Sequence, residues 1–122
     1  MKHPEHDLHK AVAQFLDTVL DHSQVVWSSI GHGGFKLSPQ AAGRMKATGI
    51  LAGLPDVILL PRGRCAHWIE LKAPGKYPEP HQRALHARLK ALGCLVAVCR
   101  SVDEVEGVLA AWEIPMRGRI AA

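Results

Sequence analysis

The sequence predicts a mixed α/β fold, a central sheet with helices packed against it. Three observations carry this. An amphipathic helical stripe opens the chain, two short apolar segments face each other across a glycine turn, and a third apolar strand lies between two helical segments. With 122 residues, 48% hydrophobic and 21% charged, the chain has material for one core and is too apolar to stay disordered. One domain over residues 1–122 is expected, with its core over about 5–112 and a tail over 113–122.

Residues 5–21 place Leu8, Val12, Phe15, Leu16, Val19 and Leu20 at helical spacing, with polar residues opposite. Val25 to Ile30 is β-branched and ends in glycines, which reads as a strand followed by a loop. Pro39 to Ala47 is expected to be a short helix, with Ser38 as N-cap and Pro39 in the first turn. Asp56 to Leu60 and Ala66 to Lys72 are strands joined through Pro61-Arg62-Gly63-Arg64-Cys65, an antiparallel hairpin. A helix from Pro80 to Gly93 follows, then a strand over Leu95 to Cys99. Ser101 and Glu104 form a capping box for a last helix through Trp112.

Composition narrows the function classes. Fifteen Lys and Arg against eleven Asp and Glu give +4 at pH 7, a modest excess compatible with a polyanionic partner. The cysteines, Cys65, Cys94 and Cys99, are odd in number and lack a CxxC, which argues against a disulfide scaffold or a zinc knot. The start lacks the apolar run of a signal peptide, and no segment approaches a membrane span. An intracellular location and no membrane partner are expected. Gly31-His32-Gly33-Gly34 lacks the Lys-Ser/Thr of a P-loop, so no NTP site is expected there. A loop beside the active site, touching a nucleic-acid backbone, is the better reading.

Chemistry concentrates in the hairpin. Strand alternation puts Trp68, Glu70 and Lys72 on one face and His67, Ile69 and Leu71 on the other. A hairpin centred on Gly63 brings Asp56 opposite Glu70. Two adjacent carboxylates repel unless a proton or cation intervenes, and hard oxygen ligands suit Mg²⁺ or Mn²⁺. A lysine beside such an ion orients water or offsets charge on a phosphoryl group, which is what phosphodiester hydrolysis requires. The plainer alternative is a Glu70–Lys72 pair on an exposed edge strand, with Asp56 capping a turn; spacing alone does not decide between them.

Gly53-Leu54-Pro55-Asp56, Ile69-Glu70-Leu71-Lys72-Ala73-Pro74-Gly75, Pro80 with Gln82, and Gly93 to Ser101 together resemble the VRR-NUC family of the PD-(D/E)XK nuclease superfamily. The similarity runs from about Glu5 to about Trp112. The resemblance implies a restriction-endonuclease-like core, with Asp56, Glu70 and the main-chain carbonyl of Leu71 as metal ligands and Lys72 as the catalytic lysine. It also implies that Gln82 stands beside the metal site and that Glu5 reaches the metal or its water shell. Where many relatives resemble Ser-Pro-Glu-Gln, this chain has Glu79-Pro80-His81-Gln82, which loses the serine cap and sets His81 beside the glutamine, either tuning local charge or, the preferred reading, facing solvent.

Other residues carry weaker signals. His3, His6 and His9 fall along one helix side, either a metal-binding stripe or an exposed polar face. His81 and His86 read as surface residues, and Cys94 and Cys99 as buried thiols. Arg44, Lys46, Arg62, Arg64 and Lys76 are candidate DNA-phosphate contacts, against the alternative of solvated turn charges. The few aromatics fall mostly at core positions, so base stacking is not expected.

The expected function is a Mg²⁺- or Mn²⁺-dependent endonuclease acting on branched or otherwise structured DNA, the expected partners being the DNA itself and a second copy of the chain in a homodimer. A non-catalytic DNA-binding module on the same scaffold is the alternative, and an RNA or nucleotide phosphodiesterase a third reading.

Overall fold

The computed structural model describes residues 3–31 and 38–118. Its elements are α1 (Pro4–Val19), β1 (Val25–Ser29), α2 (Pro39–Ala47), β2 (Val57–Pro61), β3 (His67–Leu71), α3 (Pro80–Ala91), β4 (Leu95–Cys99) and α4 (Val102–Ala111). The strands lie in the order β1-β2-β3-β4, antiparallel across the first two pairs and parallel across the last. This is the mixed α/β sheet that the sequence predicts. The glycine loop at 32–34 lies outside the described residues.

Local chemistry accounts for the helix ends. Pro4 enters α1 in its first turn, where a missing N–H costs nothing, and Glu5 and Asp7 complement the positive end of the helix dipole. Ser38 caps α2 by accepting the Ala41 N–H at 3.1 Å, and Ser101 caps α4 by accepting the Glu104 N–H at 3.1 Å. The α3 start departs from expectation. Glu79 occupies the N-cap, and its backbone N–H donates to Gln82 Oε1 at 2.7 Å, so the capping box survives without a serine.

The core lies between one sheet face and the helices α1 and α4. Val12, Leu16, Leu59, Ile69, Val105 and Leu109 are fully buried there. At about 1.5–3 kcal/mol for each large side chain taken out of water, this cluster is the main force holding α1 and α4 on the sheet. It also fixes the register of β3. Ile69 and Leu71 must face the core, so Trp68, Glu70 and Lys72 must face the other way.

Three expectations change. Helix α1 ends at Val19 rather than 21, because Leu20 leaves the helix in an extended conformation and bridges Met116. The expected tail over 113–122 is therefore partly docked. Ile114 is buried, Asp21 N donates to Pro115 O at 3.0 Å, and Arg117 N donates to Val19 O at 2.7 Å. His9, placed with the exposed stripe, is instead buried on the apolar side of α1, with Nε2 3.0 Å from Ser29 Oγ. Among the described residues no three His, Cys, Asp or Glu side chains stand together as a ready cage for an ion, so the His3, His6 and His9 stripe is not one. Cys99 is buried as expected, Cys94 is half-buried and Cys65 is exposed.

Candidate active site

Asp56 immediately precedes β2, and the β2–β3 register pairs Val57 with Ile69. Continued by one residue, that register sets Asp56 opposite Glu70. Asp56 Oδ2 accepts the Leu71 backbone N–H at 2.7 Å, which ties the carboxylate to the strand that carries Glu70 and Lys72. The bond orients Asp56 beside Glu70, with which it shares a side-chain hydrogen bond.

Glu70 is 1% exposed on a strand buried along its whole length, and Lys72, which directly follows that strand, is 8% exposed. An exposed edge-strand pair is thereby excluded. Burial, with a hydrogen bond and repulsion from Asp56, pushes the Glu70 carboxyl up to about 9. Lys72 does not pair with Glu70; its Nζ stands 3.9 Å from Glu5 Oε1. The expected Glu5 thus reaches the site, through the lysine.

Glu70 has a partner that the sequence reading missed. His86, in α3, is 7% exposed and its Nε2 lies 3.1 Å from Glu70 Oε1. It was expected on the surface, yet α3 turns it onto the sheet. Burial lowers its pKa, so the neutral imidazole is favoured beside the carboxyl. The available signal was its position four residues after Gln82, on the same face of one helix. His81, by contrast, is exposed as expected.

A cleft of about 480 Å³ opens over these groups, lined among others by Glu5, Lys46, Asp56, Glu70, Lys72 and Gln82. Its floor depends on Gly53. The residue has φ +93, and a Cβ there would meet His81 Cδ2 at 3.0 Å. Only glycine both adopts that backbone and lets the loop before Asp56 press against the first turn of α3. Gln82 lines the cleft while its Oε1 is held by the helix cap, leaving its NH₂ as a donor.

The donor set fits a hard divalent cation. Asp56 and Glu70 present carboxylate oxygens side by side at a cost that a cation would remove, and Mg²⁺ typically takes one or two carboxylates, with water and phosphate completing its shell.

The cationic candidates divide. Lys46 lines the cleft, and Arg44 sits with it in the last turn of α2. Arg62 follows β2, six residues beyond Asp56, about 20 Å away at ~3.3 Å per residue. Arg64, at the same end of the hairpin, donates to Trp112 O at 2.6 Å, to Glu113 O at 3.1 Å and to His67 Nε2 at 3.1 Å. Its guanidinium caps the carbonyl end of α4, where a cation complements the helix dipole. Lys76 lies in the β3–α3 loop, beside a second cleft.

The model of the VRR-NUC domain matches residues 3–103. The chain belongs to the VRR-NUC domain family. Two solved structures of this family share its fold. A "VRR_NUC domain protein" superposes with a TM-score of 0.66 at 21% identity, covering 94% of this chain and 93% of its own. A "VRR_NUC domain" superposes at 0.59 with 17% identity, covering 91% and 99%. Over 52 residues, 42% of the chain, this VRR-NUC domain is 48% identical to "Putative nuclease p44" of Acyrthosiphon pisum secondary endosymbiont phage 1. That match spans 55% of the phage protein. The family and this relative support a nuclease. No helix among the described residues of this VRR-NUC domain is long and apolar enough to cross a membrane.

Proposed function

We propose that this VRR-NUC domain is a Mg²⁺- or Mn²⁺-dependent endonuclease of the PD-(D/E)XK type that hydrolyses phosphodiester bonds in DNA. Branched or otherwise structured DNA is the proposed substrate, and a homodimer the proposed working form, since one domain carries one site and two strands need two. The observation that carries the reading is the burial of Glu70 against Asp56, with Lys72 on the same face of β3 and the cleft open above them. A protein that only bound DNA would have no use for two carboxylates held together at this cost.

Asp56, Glu70 and the Leu71 carbonyl would hold the ion. When bound, it supplies positive charge that polarises the scissile phosphate and acidifies a water. The chain's own residues do the rest. Asp56 is fixed by the Leu71 N–H and Glu70 by His86, so neither carboxylate must reorganise when substrate arrives. Lys72 donates hydrogen bonds to the attacking water or to the phosphoryl oxygen whose charge grows as the bond breaks. Glu5 holds the ammonium in place, and the Gln82 NH₂ offers a further donor at the cleft wall.

The test is a cleavage panel of four-way junction, flap, nicked, single-stranded and linear duplex DNA, with RNA counterparts, each with Mg²⁺ or Mn²⁺. Metal-dependent products from branched DNA, lost in Lys72→Ala, are expected. The absence of products from every substrate, together with no calorimetric binding of either ion, would refute the proposal.

A further inference from the structure

A second cleft, of about 440 Å³, adjoins the first and shares Glu5 and Lys72 with it. The Glu5–Lys72 pair stands where the two clefts meet, so a nucleic-acid strand whose phosphate sits at Lys72 has its next residue beside the second space. Its far wall is the β3–α3 loop, which carries Lys76 and Tyr77.

Tyr77 is the only tyrosine in the chain, and it is 73% exposed. It belongs neither to the buried core nor to the apolar side chains packed against that core. The ring is nonetheless held. The Arg100 guanidinium stands 5.0 Å from its centroid, and the same guanidinium donates to Lys76 O at 2.8 and 3.2 Å. One arginine thus clamps both the loop backbone and the ring. Tyr77 lines the cleft and Arg100 does not, so the residue that holds the ring stands outside the space the ring borders.

Charge does not explain what this cleft would take. Lys72 and Lys76 line it, but so do Glu5 and Glu79, so their formal charges cancel. What it offers beyond a neutral slot is a pre-positioned aromatic ring. A base stacks on a side chain only when it has left its own duplex stack, as at a junction, fork or single-stranded arm.

We infer that the second cleft is a subsite for an unpaired nucleotide flanking the scissile phosphate, with its base stacked on Tyr77. The subsite rests on the DNA-cleavage reading and gives it a physical source of structure selectivity: continuous duplex cannot present a base there without unpairing.

The test uses the full chain and a duplex bearing a single-stranded arm, with 2-aminopurine at the first unpaired position. Without divalent metal, binding by the wild type should quench the probe. Tyr77→Phe, which keeps the ring, should retain the quench, and Tyr77→Ala should bind the arm about tenfold more weakly. In cleavage, the preference of Tyr77→Ala for armed over fully paired DNA should fall by a similar factor. No quench by the wild type, equal losses in Tyr77→Phe and Tyr77→Ala, or an undiminished preference in Tyr77→Ala would overturn the subsite. Quenching by a wild type that cuts no substrate would instead remove the nuclease reading and keep the subsite.

Discussion

Replacing Glu70 by glutamine should make the metal-free protein more stable. The Glu70 carboxyl lies at about 9 in the folded chain against 4.5 in its unperturbed state. Between those values the folded state holds a proton that the unfolded state has released, so stability falls as pH rises through the window and recovers toward pH 4.5. At pH 7.5 the gap spans three pH units, and at about 1.4 kcal/mol per unit the penalty reaches a ceiling of ~4 kcal/mol. Glutamine is neutral at every pH, and its amide can either donate to or accept from His86 Nε2. Urea unfolding in EDTA should show Glu70→Gln more stable at pH 7.5 by ~2 kcal/mol or more, equivalent to about 8 °C in Tm. The difference should shrink steadily toward pH 5. With Mn²⁺ in hundredfold excess over its Kd the order should narrow or reverse, because the ligand adds ~2.7 kcal/mol to the wild type. A variant less stable in EDTA at pH 7.5, or a gap that does not depend on pH, would refute the reasoning.

Three further outcomes follow from the same geometry. His86→Ala should weaken Mn²⁺ binding by about 10- to 100-fold in calorimetry, with His86→Gln recovering part of the loss, because the imidazole orients a proposed ligand; an unchanged Kd would reduce it to packing. Arg64→Ala should cost about 1–2 kcal/mol in urea unfolding, since it uncaps α4; weaker DNA binding at undiminished stability would instead make Arg64 a phosphate contact. His67 is buried and its pKa is lowered, chiefly by burial, so the unfolded chain takes up a proton there first as pH falls. Stability should therefore drop below about pH 6.5, and His67→Gln should flatten that slope, opposite in sign to the Glu70 contribution.

The hairpin was legible because two periodicities agree. Alternation sorts Ile69 and Leu71 from Glu70 and Lys72, and a turn centred on Gly63 sets Asp56 against Glu70; β2 and β3 carry out both. Helix ends were legible where a cap acts over three residues, as at Ser38 and Ser101. Side-chain partners from different elements were not. Nothing in the spacing of His86 or Arg64 states which strand or carbonyl it will meet, because that depends on how α3 and α4 settle on the sheet. The capping role of Gln82 was hidden for another reason: glutamate replaces the usual cap residue, and the reciprocal bond runs from side chain to backbone.

The placement of Glu70 and Lys72 at an interior strand has a dynamic consequence. Strand β3 has a hydrogen-bonded neighbour on both sides and no exposed residue, so its amides should exchange with solvent only when the whole domain opens. The loop bearing Tyr77 lies outside any strand and is free of that constraint. Descendants of such a chain can exchange that loop while Glu70 stays locked in the part of the molecule that opens last.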